Sequence, residues 1–141
     1  PGAELAHAIA VAKVKAVEGS IELCWRLKQE VGSYALMGSS GFVHLDFLNC
    51  CKFAEGDSRV LMLKMARDRV RRAAKELKAG TAVATGQEDE ASRAAALLGV
   101  LAGAKGDKAA EARLWDEHWR EVYGLAEVMM ARTMGEVLGE R

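Results

Sequence analysis

Apolar residues recur at steps of three and four along most of this chain, with charged residues between them, and strict alternation is rare. From Ala3 to Met37 the positions Val14, Val17, Ile21, Cys24, Leu27, Val31 and Tyr34 form one stripe, flanked by Lys13, Glu18, Glu22, Arg26, Lys28 and Glu30. That spacing predicts one long amphipathic helix with room for a bend near Gly19. Gly38-Ser39-Ser40-Gly41 should stop it, and residues 42–53 read as an apolar connection with a helical turn around His44 to Leu48. Asp57 or Ser58 then caps a second helix to about Ala79, with Val60, Leu63, Ala66, Val70, Ala74 and Leu77 as its buried stripe and Gly80 as its stop. The small polar stretch from Gly80 to Asp89 reads as a loop. A third helix over about 90–101 follows, and a last one over about 108–138. The last stripe is Leu114, Trp115, His118 or Trp119, Val122, Leu125, Met129, Thr133 and Val137.

Four helices with short connections predict an all-α fold, an antiparallel four-helix bundle. Composition agrees: half of the 141 residues are apolar, proline occurs once, and strong helix formers dominate. Twenty basic residues cancel twenty acidic ones, so no global field draws the chain to nucleic acid or to an anionic membrane. The second helix is locally basic (Arg59, Lys64, Arg67, Arg69, Arg71, Arg72), but no aromatic residue interleaves, and a solvated face or an acidic neighbour is the expectation. The apolar run 94–104 is too short to span a bilayer.

Three cysteines, Cys24, Cys50 and Cys51, form an odd set without metal-ligand spacing, and His7, His44 and His118 are widely separated. The expectations are no metal site and reduced thiols in an intracellular compartment, with an organelle open. Pro1 is no initiator, which suggests that something upstream has been lost. Trp115 and Trp119, with Met129 further on, make a wide apolar stripe that serves either as core or as a face for another protein subunit.

Two stretches carry candidate chemistry. In "CCKFAEGDSRVLM" the carboxylate of Glu55 follows Phe53 and Ala54 and precedes Gly56, a setting in which desolvation raises a carboxylate toward use as a base. The turn Gly38-Ser39-Ser40-Gly41 has the small residues that present backbone N–H groups to a phosphate.

Read together, "ALMGSSGF" and "AEGDSRVLMLKMARD" resemble the C-terminal helical domain of the acyl-CoA dehydrogenase and acyl-CoA oxidase superfamily, over about Ala8 to Val70. The resemblance implies that residues 1–79 are the family-like core and 80–141 a helical extension in the same bundle. It also implies that Glu55 inherits the base that removes the α-proton of a fatty acyl-CoA, and that Gly38 and Gly41 inherit a contact with FAD. The enclosing domains of such a flavoprotein do not fit in 141 helical residues. The expectation is therefore a detached domain of fatty acid metabolism, kept as a structural or binding subunit of a larger assembly. The alternative is the C-terminal part of an FAD-dependent dehydrogenase or oxidase.

Overall fold

A computed structural model describes residues 2–54, 56–104 and 106–139. Among these the chain is all-helical: α1 (Ala3–Val31), α2 (Leu45–Cys50), α3 (Ser58–Ala79), α4 (Glu88–Ala102), α5 (Lys108–Glu117) and α6 (Trp119–Leu138), with three 3-10 segments between α1 and α2. Contacts group the chain into two compact units, Pro1–Leu61 and Met62–Arg141. The division falls one turn into α3, whereas the expected boundary at 79 and 80 coincides with the helix stop at Gly80 (φ +63°).

In the first unit α1 is continuous through Gly19 and ends at Gly32, whose φ of +59° an L side chain rarely adopts. It is shorter than its apolar stripe suggested, because the stripe carries on into the 3-10 segment Gly32–Leu36. Phe42–His44 and then α2 form the turn expected around His44. α1 packs along α2, and the buried apolar residues of this unit are Ala10, Val11, Val14, Ala35 and Leu45.

Asp57 caps α3: its Oδ1 accepts hydrogen bonds from the backbone N–H of Arg59 at 2.7 Å and of Val60 at 3.3 Å. The expected α3 stripe is rotated. Ala66 and Val70 are buried as predicted, but Met65, Arg69 and Ala73 join them, while Val60 and Leu77 are exposed. The rotation follows from Arg69, a charged residue carried on the buried face because it has an acidic partner there.

In the second unit α4 packs on α6, and α5 packs on both. The predicted last helix is two helices. His118 (φ −98°, ψ +30°) leaves helical geometry for one residue between α5 and α6, and the hydrogen bond from Val122 N–H to the His118 carbonyl starts the next ladder. Neither Pro nor Gly marks the break, so the periodicity reads straight through it. Val122, Leu125, Ala126, Met129 and Met130 form the α6 side of the core, facing Ala94 and Leu97 of α4.

Candidate binding surfaces

Glu55, the candidate base, lies outside the described residues. Its flanks are described and are tightly held. The Lys13 ammonium donates to the carbonyls of Lys52 at 2.8 Å and Gly56 at 2.7 Å, and to Ser58 Oγ at 3.3 Å. All three of its protons thus have neutral acceptors. Ser58 N–H also donates to the Lys52 carbonyl at 3.0 Å, and Lys52 in turn pairs with Glu18 at 2.9 Å. The first half of α1 is therefore bolted to Lys52, Gly56 and Ser58. Gly56 has φ +104°, which an L side chain rarely adopts, while a Cβ there would make only ordinary contact with Leu61 Cδ2 at 3.4 Å, so the backbone calls for glycine and the packing does not.

The glycine turn is open. Gly38 starts the 3-10 segment Gly38–Ser40 with ordinary φ, Gly41 sits at φ +84°, and a Cβ at either position meets nothing within 4 Å. Gly41 is explained by its own backbone, and neither glycine forms a cradle that a side chain would fill. Gly38 and Gly41, the positions to which the resemblance assigns an FAD contact, thus lie side by side on an open turn.

The stripe of Trp115, Trp119 and Met129 is not one face. Trp115 and Met129 are buried (6% and 5% exposed), while Trp119 is half exposed, edge-on to Tyr123 and under the Arg120 guanidinium at 4.9 Å. The kink at His118 separates them, turning Trp115 into the unit and leaving Trp119 at its surface. Of the two roles expected for this stripe, Trp115 and Met129 take the core one, and only Trp119 stands at the surface.

A different stripe stands open. Beyond Val17 the predicted face of α1 progressively leaves the core. Ile21 and Cys24 are half-buried, and Leu27, Val31 and Tyr34 are exposed, Leu27 at 47% and Tyr34 at 54%. Leu36 and Met37 continue it, the former 80% exposed. From Val17 to Val31 this is about 20 Å of helix. Its borders carry both signs of charge, including the exposed pair Arg26–Glu22 at 2.5 Å and Lys28 over the Trp25 ring. All three cysteines are unpaired thiols.

In the second unit α3, α4 and α5 leave a groove of about 480 Å³. Val70, Ala74, Leu98, Leu101 and Trp115 give it apolar walls, and Arg67, Arg71 and Lys108 stand along it. The Arg67 guanidinium lies 5.3 Å over the Trp115 ring, and Glu111 accepts from Trp115 Nε1 at 3.3 Å. The sequence showed the basic α3 but not the apolar floor, because α5 is far along the chain.

Charge is also buried in this unit. Glu90 Oε1 accepts from Arg69 Nε at 2.5 Å and Oε2 from Arg132 Nε at 2.8 Å, while Arg69 reaches Glu76 at 3.1 Å and Arg132 reaches Glu136 at 2.6 Å. Burial works against the Arg132 charge, but the hydrogen bonds and charges of Glu90 and Glu136 outweigh it and hold the guanidinium above the ordinary arginine value. Among the described residues no group of three His, Cys, Asp or Glu could hold a metal ion, and no helix is long and apolar enough to cross a membrane.

Compared with protein families, with curated proteins and with solved structures, the chain finds no match in any of the three.

Proposed function

We propose that this chain works as a helical structural or binding subunit of a larger assembly, docking another helix along the open stripe of α1. The observation that carries this reading is the contrast within one helix. Val11 and Val14 are almost fully buried, while Leu27 and Val31 keep the same amphipathic register and are nearly half exposed. A stripe at helical spacing, bordered by charges of both signs, suits an antiparallel amphipathic helix with mixed charge. A second copy of α1 meets that description, and the chain's balanced charge opposes no such pairing. Burying Leu27, Val31 and Tyr34 would supply the driving force at roughly 25 cal/mol per Å² of apolar surface removed from water.

In this reading the helices belong to the antiparallel four-helix design of the acyl-CoA dehydrogenase C-terminal domain, with the flavoprotein chemistry given up. Sedimentation equilibrium tests the docking. The chain should self-associate reversibly with rising concentration, and Leu27→Glu with Val31→Glu should leave a helical monomer. A parent chain that is monomeric throughout the range would overturn the reading.

The competing enzyme reading keeps Glu55 as the base for a fatty acyl-CoA and rests on the resemblance of "ALMGSSGF" and "AEGDSRVLMLKMARD". Titration with FAD separates the two. No change in the flavin absorption band is expected, and a saturable change lost on mutating the turn would move the account to the enzyme.

A further inference from the structure

The groove between α3, α4 and α5 has a volume within the range of small-molecule sites and combines an apolar floor with an excess of positive charge. Three of its lining residues are cations against one acid, Glu111, which accepts from the Trp115 indole N–H at 3.3 Å and keeps its charge, so cations outnumber acids along the groove. Arg71 has only a long contact with Asp68, at 3.4 Å, with its side chain three-quarters exposed. Among the described residues Arg67 has no carboxylate within ion-pair distance and rests on the Trp115 face, and Lys108 has none either. Lys108 opens α5, whose N-terminus is capped by Asp107, its Oδ1 accepting from Ala109 N–H at 2.8 Å, so the charge at this end of the groove comes from the Lys108 ammonium itself.

From this charge pattern we propose that the groove binds a small amphipathic anion, a carboxylate or phosphate on an apolar body. The body lies between Val70, Leu98, Leu101 and Trp115, and the head is held by Arg67, Arg71 and Lys108. An apolar cation or a neutral alcohol lacks the head that these three groups demand. The site lies wholly within Met62–Arg141 and is independent of the α1 stripe. It is also independent of Glu55 and of the glycine turn.

Decanoate is the probe, followed below its micellar concentration by calorimetry and by the fluorescence of Trp115 in a Trp25→Phe/Trp119→Phe chain. Decyl phosphate serves as a second arm to rank the two head groups, and decyltrimethylammonium as the charge-reversed control. Saturable one-site binding with a change in Trp115 emission is expected, weakening as salt rises. Arg67→Gln/Arg71→Gln/Lys108→Gln should weaken it by about tenfold or more, since exposed and half-exposed cations can be removed with little effect on folding. Ala112→Leu, which fills the groove and keeps every charge, should weaken it as well. Equal affinity for the cationic control, undiminished binding in either variant, or no binding by either anion would overturn the proposal.

Discussion

Arg69 and Glu90 meet inside the second unit with Nε and Oε1 2.5 Å apart and both side chains almost wholly buried, 3% and 2% exposed. The pair explains why a basic helix, α3, turns a charged residue inward. It also fixes what happens when half of it is lost. Breaking a buried pair strands the remaining charge, whereas replacing the whole set with packed apolar groups need not cost stability.

Glu90→Gln should therefore destabilise the second unit by about 3–5 kcal/mol, because Arg69 and Arg132 lose their shared carboxylate. The combined change Arg69→Met/Glu90→Leu/Arg132→Met should recover most of that loss. Urea denaturation of the three chains checks both statements.

Arg132 gives a pH prediction with a definite sign. Its folded-state value is raised above the ordinary arginine value, so the stability it contributes is complete below that ordinary value and lost only as pH climbs through the higher folded one. Arg132→Lys brings in a group whose ordinary value is about 10.4. The stability gap between this variant and its parent should be small near neutrality and widen above about pH 10.5, measured by denaturant midpoints across that range.

Lys13→Met removes the ammonium that ties α1 to the carbonyls of Lys52 and Gly56. A loss of about 1–3 kcal/mol is expected, as for a half-buried charged donor serving several acceptors. Amide exchange should speed up over residues 52–58 while α1 keeps its helicity.

The two turn glycines should separate cleanly. Gly41→Ala forces an L side chain to φ +84° and should cost about 1–2 kcal/mol, whereas Gly38→Ala, with ordinary φ and open space, should be nearly neutral. Thermal unfolding of the two variants measures the difference.

The fold class was legible in the sequence because the long helices carry their period over several turns and the stop at Gly80 is a glycine with positive φ, whereas α1 ends at Gly32, ahead of the stop expected at Gly38–Gly41. What periodicity could not show was which stripes find cover. Leu27 and Val11 are equivalent in pattern, and only the three-dimensional neighbours of α1 distinguish the exposed one from the buried one. The inward rotation of α3 was hidden for a related reason, since its cause is a carboxylate 21 residues on. The Lys13 clamp left no sequence signal at all, because its acceptors are backbone carbonyls. Trp115 and Trp119 were joined by a period that His118 breaks without any helix-breaking residue.

The cover of the α1 stripe can be read directly from Cys24, which is half-buried on it. A nitroxide is placed there in a Cys50→Ser/Cys51→Ser chain, and its spectrum is recorded as concentration rises. Restricted motion and spin–spin broadening should appear together with association and vanish in the Leu27→Glu/Val31→Glu background. A mobile, unbroadened label at every concentration would contradict the account.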